Sequence, residues 1–273
     1  MSRFKAFIRN LVPDCLVGAI RQTPRFSIER PNRSEDWERE YSSPPHPIEG
    51  LCHPVARAVA DLTCEGDVLL EAGCGSGELS AALAKVGRRI EMADFSRKIL
   101  DRAGEVFRIS GLPEPRLTCC DFTISPWPWP DHTVDVIWSS GVLEHWTDEE
   151  IVPIVSEMVR ISRKKVISLV PHARSLFYRL GKDYAERSGT WPYGREIPRY
   201  TLRHVFEAAG LSDVREWDIW PEQSLSFLKM IDPKFREAAS HWWDSLGPED
   251  PVRIGQGYLL LTVGSIRTET VTR

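Results

Sequence analysis

The chain has 273 residues, of which 42% are hydrophobic and 27% are charged, a balance typical of a globular protein with a substantial core. Its 39 acidic residues outnumber its 35 basic ones, and the net charge of −4 provides no global attraction to nucleic acid or acidic membranes. The 6 cysteines include no Cys-x-x-Cys pair, which argues against a disulfide or metal framework and favours reduced thiols in the cytoplasm.

The N-terminal region, residues 1–45, is predicted to be an extension with helices. The basic, partly apolar segment 4–12 lacks the long apolar region and the cleavage site of a signal peptide. As an amphipathic helix it would rest on a membrane surface, cover the active site or pack on the domain. Residues 34–41 start with Ser, Glu and Asp, which predicts a capped helix, and a second helix is predicted over residues 50–62.

The first predicted strand of the core leads into a glycine-rich turn. Residues 68–71 form an apolar run that ends in Glu71, as in a parallel strand buried on both faces. Gly73, Gly75 and Gly77 follow at alternating positions, where they permit positive φ angles and close approach of a ligand to the backbone. Residues 78–85 are predicted to be a helix with free N–H groups at its start. Together these elements predict a nucleotide-type ligand at the carboxyl end of a sheet.

The glycine spacing disfavours the common phosphate-binding motifs. A dinucleotide fingerprint needs a third glycine where this chain has Glu78, an acid that would repel a pyrophosphate at the helix N-terminus. A P-loop is excluded because no Gly-Lys-Ser/Thr follows. Glu71 would instead suit a cationic ligand group such as an ammonium.

The segment Glu71-Ala72-Gly73-Cys74-Gly75-Ser76-Gly77 resembles the first motif of class I S-adenosylmethionine-dependent methyltransferases, and the chain is most similar to their type 11-like members. Residues 89–96 and 120–122 resemble, in the same order, the ends of that family's second and third strands. The resemblance covers residues 35–264. It implies S-adenosylmethionine as cofactor, S-adenosylhomocysteine as product, and no metal. The cofactor-binding residues that it implies are Glu71, Gly73, Cys74, Gly75, Gly77, Asp94, Phe95, Asp121, Phe122, Ser139 and Ser140.

The predicted cofactor site depends mainly on two carboxylates. The resemblance implies that Asp94 accepts hydrogen bonds from the two ribose hydroxyls. It also implies that Asp121 binds the adenine amino group while the Phe122 N–H faces a ring nitrogen. Taken singly, Asp94 next to a cap at Ser96 and Asp121 in a turn have ordinary structural roles. The ordered set of three motifs favours the cofactor site.

Strands and helices alternate through the rest of the chain. A capping box at Thr147–Glu150 opens a helix that runs to about Arg160. The alternation predicts an α/β fold with a doubly wound, mostly parallel sheet. The resemblance makes it a Rossmann-like sheet of seven strands that ends in a C-terminal antiparallel hairpin, with the methyltransferase domain at residues 46–264 and a tail at 265–273. Further strands are predicted at 116–120, 134–139, 165–171, 214–219 and 258–263, and further helices at 96–111 and 201–209.

Two aromatic-rich inserts, residues 172–200 and 220–255, are predicted to form a helical substrate lid. Ligands of such sheets bind outside the carboxyl ends of the strands, where these inserts begin. Tyr178, Trp191 and Tyr193 are the candidate substrate-binding residues. The inserts could equally form a small helical unit with its own aromatic core, and both interpretations can hold together.

The catalytic candidates are two histidines that follow strands. A sulfonium methyl group is already electrophilic, so an enzyme mainly aligns it with the acceptor. An acceptor oxygen or nitrogen also needs a base to take its proton, and His145 and His172 are in suitable places. A structural role is open for both, since Glu144-His145 recurs in the family as a helix start.

The sequence therefore favours transfer of a methyl group to an oxygen or nitrogen of a small-molecule acceptor by direct in-line displacement. Amino-methylating DNA enzymes of this fold carry Asn/Asp-Pro-Pro-aromatic where residues 139–142 are Ser-Ser-Gly-Val, so no nucleic-acid partner is expected. No integral membrane segment is predicted either. The alternatives are a catalytically idle S-adenosylmethionine-binding partner subunit, or a methyltransferase acting on a protein or lipid.

Overall fold

The computed structural model describes residues 34–267, so the predicted segment 4–12 and the end of the predicted tail lie outside the described residues. One sheet organises this part of the chain, with helices on both faces. Its strands are β1 (Val68–Ala72), β2 (Arg89–Asp94), β3 (Arg116–Cys119), β4 (Val134–Ser140), β5 (Ser162–Pro171), β6 (Ser212–Ile219) and β7 (Leu259–Ser265). The α-helices are α1 (Ser34–Glu40), α2 (Pro54–Asp61), α3 (Glu78–Lys85), α4 (Arg97–Ile109), α5 (Asp148–Ile161), α6 (Leu176–Arg187), α7 (Arg203–Ala208), α8 (Pro221–Ser226) and α9 (Pro233–Ser245).

The strand order confirms the predicted doubly wound sheet. It is β3-β2-β1-β4-β5-β7-β6, with β1 to β5 parallel and β7 antiparallel to both of its neighbours. The predicted C-terminal antiparallel pair is therefore β6 and β7. Strand order reverses between β1 and β4, and this reversal opens a crevice at the carboxyl ends of the strands.

Local sequence signals explain most element boundaries. Ser96 caps α4 and Thr147 forms the expected capping box at the start of α5. The helix expected from residue 50 begins instead at Pro54, because the His53 imidazole accepts the N–H of Val55 and proline is favoured in the first turn. Strand β5 starts three residues earlier than predicted, since Ser162 already pairs with Val134 beside a bulge.

Alternate residues of the central strands point into two separate cores. Leu70 and Ile137 belong to the core on one face of the sheet, whereas Leu69 and Trp138 belong to the core on the other. These four side chains are fully buried. A parallel sheet covered on both faces needs such continuously apolar strands, which is why the runs at β1 and β4 were recognisable in the sequence.

The two inserts pack on each other as helical elements. Helix α6 from the first insert meets α8, the 3-10 turn Phe227–Met230 and α9 from the second. Gly181 of α6 lies so close to the Phe227 carbonyl that even a methyl group would clash with it. Within residues 34–267, no helix has the length and apolar character needed to cross a membrane.

Candidate functional site

A cavity of about 270 Å³ lies at the carboxyl ends of the central strands, where the strand order reverses. Helix α1 covers it on one side through Trp37 and Tyr41. The wall contains these predicted site residues: Gly73, Gly75, Asp94, Phe95, Asp121, Phe122, Ser140 and His145. Residues separated by more than 70 positions in the sequence thus meet in one crevice because each follows a different strand of the same sheet edge.

The turn after β1 has the tight geometry that its glycines imply. Gly75 has a φ of 48°, and a Cβ there would lie 2.7 Å from the Tyr41 ring, so the tyrosine covers the bare backbone. Gly77 has a φ of 76°, and a Cβ there would lie 2.6 Å from the Cβ of Ala103 in α4. The backbone of the turn can therefore lie close to Tyr41 and to α4 only because Gly75 and Gly77 have no side chains.

Four of the other predicted cofactor residues lie behind this wall rather than in it. Glu71 is buried and accepts a hydrogen bond of 2.6 Å from the Ser80 hydroxyl. Burial raises the pKa of Glu71 well above its usual range, with the Ser80 hydrogen bond opposing that shift. Gly77 packs on α4, and Cys74 and Ser139 are buried, Ser139 with its hydroxyl 3.2 Å from that of Ser168. Their positions support the wall without facing the cavity.

Asp94 places a carboxylate on the cavity wall at the end of β2. Its Oδ1 accepts the Ser96 N–H at 3.0 Å, and its Oδ2 accepts the Gly75 N–H at 3.4 Å. The side chain forms no ion pair with any residue in the described range 34–267. Burial raises its pKa to about 6, and the backbone N–H groups oppose that shift. Each oxygen keeps further lone-pair positions for a ligand that donates hydrogen bonds.

The loop after β3 supplies the opposite part of the wall. Asp121 accepts both the N–H and the hydroxyl of Thr123, at 2.9 and 2.7 Å, which fixes a tight turn. Phe122 is buried, and its ring centroid lies 4.8 Å from that of Trp127. The indole N–H of Trp127 donates to the Phe122 carbonyl. This pairing holds an apolar surface beside the exposed carboxylate of Asp121.

Helix α1 is held over the cavity mainly by polar and aromatic contacts. No residue of this helix is fully buried. Glu38 accepts hydrogen bonds from the Ser96 hydroxyl and the Lys98 ammonium, both at 2.9 Å. The Trp37 ring meets the His145 ring edge-on, with centroids 5.2 Å apart. The side of the cavity formed by Trp37 and Tyr41, here called its roof, thus depends on a short helix that contributes little to the core.

The two candidate bases lie in different places. His145 is in the cavity wall, and its Nδ1 lies 2.6 Å from the carbonyl oxygen of Arg195. Burial lowers the pKa of His145, and the carbonyl groups of Arg195 and Gly141 oppose that shift. His172 is buried beyond β5, where its backbone pairs with Tyr258, and it is not among the residues of the cavity wall. Of the two histidines, the structure brings only His145 to the cavity.

The three candidate substrate residues belong to the packed core of the inserts or to its edge. Tyr178 is fully buried and donates a short hydrogen bond from its hydroxyl to Glu196. Trp191 packs against Tyr178 and against Tyr193, with ring centroids 6.5 and 5.2 Å apart. Tyr193 in turn stacks on Trp37 of the cavity roof at 6.3 Å. Only Tyr193 therefore reaches the cavity boundary, through its contact with Trp37.

Comparisons with known proteins agree with this architecture. A family model described as a methyltransferase domain matches residues 69–165, from β1 into β5. A probable S-adenosylmethionine-dependent methyltransferase of Mycolicibacterium smegmatis is 28% identical over 147 residues, which are 54% of this chain and 52% of that protein. Phosphoethanolamine N-methyltransferase 1 of Zea mays is 28% identical over 137 residues, 50% of this chain and 26% of that protein. The chain spans about half or less of the length of these curated relatives.

Solved structures extend the similarity over most of the fold. A putative methyltransferase of Haloferax volcanii, solved in complex with the Trm112 methyltransferase activator, has a TM-score of 0.57 at 20% identity and covers 79% of this chain and 89% of its own. Magnesium protoporphyrin IX methyltransferase of Synechocystis, solved with bound S-adenosylhomocysteine, has a TM-score of 0.52 at 18% identity and covers 85% and 93%. These structures show that the chain has the Rossmann-like fold of known methyltransferases, and residues 69–165 match the methyltransferase-domain family.

The matched segment does not include every element that lines the cavity. The family match ends at residue 165, before either insert begins. It contains the glycine turn, Asp94, Asp121 and His145, but neither the lid nor Trp37. Helix α1 and the two inserts therefore lie outside the part of the chain that the family model matches.

Two buried charges in the inserts have no signal in the sequence. Lys182 is 4% exposed, with its ammonium 2.6 Å from Glu186 and 4.2 Å from the centroid of the Trp191 ring. Glu196 lies 4.0 Å from the same ammonium. In the sequence these residues resemble ordinary surface charges, and only the packing of α6 on the segment after it buries them.

Proposed function

We propose that this protein binds S-adenosylmethionine in the cavity and transfers its methyl group to a nitrogen or oxygen of a small-molecule acceptor. The observation that carries the proposal is the Asp94 carboxylate. It is buried, unpaired with any cation of the described chain, and adjacent to the bare backbone of Gly75 at the reversal of strand order. A ligand with two neighbouring hydroxyl groups, such as a ribose, matches its free acceptor positions.

The residues present fit the cofactor in two respects. The glycine turn is a cradle that side chains would fill, as the contacts of Gly75 with Tyr41 indicate. Phe122 and Ile99 offer apolar surface for a flat base, with Asp121 at its edge as an acceptor. When bound, the cofactor supplies an electrophilic methyl group on sulfur. The protein's own part is to hold the ribose at Asp94, exclude water with Trp37 and Tyr41, and orient the acceptor.

His145 is the base that the arrangement favours for the acceptor. Its Nε2 has no hydrogen-bond partner in the described chain, and the ring lines the cavity. An acceptor hydroxyl or amine close to Nε2 could pass its proton there as the new bond to carbon forms. His172, which lies away from the cavity wall, is assigned a structural role.

The aromatic surroundings of the cavity and its volume of about 270 Å³ support a small acceptor. Trp37 and Tyr193 stack over its outer side, and the overall charge is negative. The Zea mays relative, a phosphoethanolamine N-methyltransferase, acts on a nitrogen of a small molecule, which is consistent with this class of acceptor. A cytoplasmic location is part of the proposal, since the exposed thiols of Cys52, Cys64 and Cys119 would stay reduced there.

We also propose that the catalytic unit begins by residue 34 and not at residue 46. The wall of the cavity includes Trp37 and Tyr41, which the predicted boundary places in the N-terminal extension. The inserts 172–200 and 220–255 remain the proposed substrate lid.

Two measurements test the proposed function. Calorimetric titration of the full chain with S-adenosylmethionine and with S-adenosylhomocysteine should give saturable binding of both. Incubation with methyl-labelled cofactor and fractionated metabolite extracts should then transfer label to a small molecule. If neither cofactor form binds, the proposal is wrong. If both bind but no extract, protein or lipid fraction becomes labelled, the idle-subunit alternative is favoured.

A further inference from the structure

A short turn after β4 supplies wall residues that the proposed cofactor contacts do not use. His145 and Trp146 lie in this turn, and both line the cavity. Asp94 and Asp121, which are assigned to the cofactor, follow the neighbouring strands β2 and β3. The turn therefore forms part of the wall that remains for the acceptor, and the position of Trp146 affects the space available to it.

The backbone hydrogen bonds within this turn are long. The His145 N–H donates to the Val142 carbonyl at 3.3 Å, and the Trp146 N–H donates to the Leu143 carbonyl at 3.4 Å. A typical N–H···O bond measures about 2.9 Å, so these two bonds hold the turn only weakly. The shape of the turn therefore depends on contacts from outside it.

Arg199, near the end of the first insert, makes the side-chain contact that fixes the end of this turn. Its guanidinium donates one short hydrogen bond to the Trp146 carbonyl and another to the Asp148 carboxylate. These two acceptors flank Thr147, the N-cap of α5. A planar fork of N–H groups fits such a pair of acceptors in a way that a single ammonium does not.

The backbone of Arg199 is fixed to the sheet. Its N–H donates to the Pro171 carbonyl and its carbonyl accepts from the Ala173 N–H, both at 2.9 Å, at the end of β5. The residue is 8% exposed. Burial lowers the pKa of its guanidinium and Asp148 opposes that shift, so the buried charge is paired. Arg199 therefore links the carboxyl ends of β4 and β5 through a buried, well-anchored contact.

The geometry points to Arg199 as a positioning residue for methyl transfer, and we propose that it holds Trp146 where the acceptor aligns with the methyl group. This inference rests on the proposed function and adds a residue to it. Arg199 lies behind the described wall of the cavity, so it acts through Trp146 and touches neither cofactor nor acceptor. Misplacement of reacting groups by about 1 Å can slow a reaction by about 100-fold.

The contact of Arg199 reaches only one side of the cavity. The carboxylates assigned to the cofactor are held by their own local hydrogen bonds, Asp94 by the Ser96 N–H and Asp121 by Thr123. These bonds form within the loops after β2 and β3, away from the turn after β4. A change at Arg199 should therefore disturb the alignment of the acceptor and leave cofactor binding in place.

Arg199→Lys tests the inference beside a matched control. Arg88 also donates from a partly buried guanidinium to backbone carbonyls, but it precedes β2 at the opposite edge of the sheet; its acceptors are Ala60, Thr63 and Val86. The full-length wild type and variants receive methyl-labelled S-adenosylmethionine and a dilution series of a metabolite extract. Each initial rate of labelling is divided by the fraction of chain that binds S-adenosylhomocysteine in calorimetry, so loss of folded protein does not lower the corrected rate.

We expect Arg199→Lys to label about tenfold or more slowly per binding site. This loss should persist at the highest extract concentration, because alignment rather than acceptor binding is impaired. The affinity for S-adenosylhomocysteine should change little, and Arg88→Lys should keep the wild-type rate. Asp148→Asn weakens one partner of the fork at a more exposed position and should give a smaller loss. If Arg199→Lys does not fold, Asp148→Asn decides the test.

A wild-type rate per binding site in the deciding variant would overturn the inference and leave the proposed function standing. An equal loss in Arg88→Lys would do the same, since any disturbed arginine would then have this effect. If affinity for S-adenosylhomocysteine falls together with the rate, Arg199 supports the whole cavity and is not a positioning residue for the acceptor. If the wild type labels nothing in any extract, the proposed methyl transfer itself fails, and the inference fails with it.

Discussion

The carbonyl oxygen of Arg195 accepts a 2.6 Å hydrogen bond from Nδ1 of His145, across 50 positions of sequence. A second contact lies beside it, where the Ile197 N–H donates to the Glu144 carbonyl at 2.8 Å. The segment after α6 therefore pins the short turn after β4 on both sides. Because Nδ1 is held as a donor, the neutral ring of His145 has its acceptor at Nε2, so this segment sets the tautomer of a residue in the cavity wall.

The role of Asp94 predicts the strength and the pH dependence of cofactor binding. Asp94→Ala should weaken binding of S-adenosylhomocysteine by about 1.5–3 kcal/mol, the scale of hydrogen bonds to a charged group. Its pKa of about 6 means that the carboxylate becomes protonated, and a poorer acceptor, as the pH falls. Wild-type affinity should thus decrease between about pH 7 and about pH 5, whereas that of Asp94→Ala should not.

Calorimetric titration of S-adenosylhomocysteine into the wild type, Asp94→Ala and a control variant checks this prediction. Asp101→Ala, an exposed change in α4, is the control and should bind like the wild type. Unchanged affinity in Asp94→Ala would remove the ribose role from this residue.

Gly77 should tolerate alanine much less well than Gly111 does. Both have positive φ angles, 76° and 65°, so each substitution strains the backbone by about 1–2 kcal/mol. At Gly111 a Cβ meets nothing within 4 Å, but at Gly77 it would lie 2.8 Å from the backbone Cα of Ala103. The clash should therefore destabilise only Gly77→Ala. We expect urea unfolding to show that Gly77→Ala loses about 1–3 kcal/mol more free energy of unfolding than Gly111→Ala does. Equal losses would show that α4 can move away from the turn.

His145 and His172 should differ in their effect on turnover. With an acceptor in hand, His145→Gln should slow methyl transfer by about 100-fold or more, the contribution of a positioned base, while S-adenosylhomocysteine affinity changes little. His172→Gln, the same change outside the cavity wall, should leave turnover close to that of the wild type. Since burial lowers the pKa of His145, the rate limited by this base should rise with pH to a plateau reached below the usual histidine range. A larger loss in His172→Gln would reverse the assignment.

Glu196 should make the free energy of unfolding fall as the pH rises. Burial is the largest cause that raises its pKa in the folded protein, to about 7 from 4.5, and Lys182 opposes it. A group whose pKa is raised by folding stabilises the folded state below its unfolded pKa, and this contribution disappears as the pH rises through the folded value. We expect the free energy of unfolding, measured with urea between pH 4.5 and about pH 7, to decline less for Glu196→Gln than for the wild type. The glutamine can still accept the hydrogen bond from Tyr178. The control Glu149→Gln, a change at an exposed position, should decline like the wild type. If Glu196→Gln also declines as much as the wild type, groups other than Glu196 cause the pH dependence.

The sequence by itself determined the elements and the kind of site, because the signals involved act over a few residues. Glycines at 73, 75 and 77, the cap at Ser96 and the box at Thr147 each bias the local backbone or satisfy nearby N–H groups. Continuously apolar runs, alternating along the chain with helical segments, then imply a parallel sheet covered on both faces. These local constraints do not specify which distant side chains meet.

Only the tertiary structure placed His145 in the cavity wall and His172 outside it, since both residues follow strands in the sequence. The tertiary structure also places Trp37 in the cavity wall, although its helix lies outside the predicted domain boundary. Lys182 and Glu196 are buried between α6 and the segment that follows it. The tertiary structure also set the Arg195 carbonyl against Nδ1 of His145. Such contacts depend on how the inserts fold back over the sheet edge, a long-range packing that no local pattern encodes.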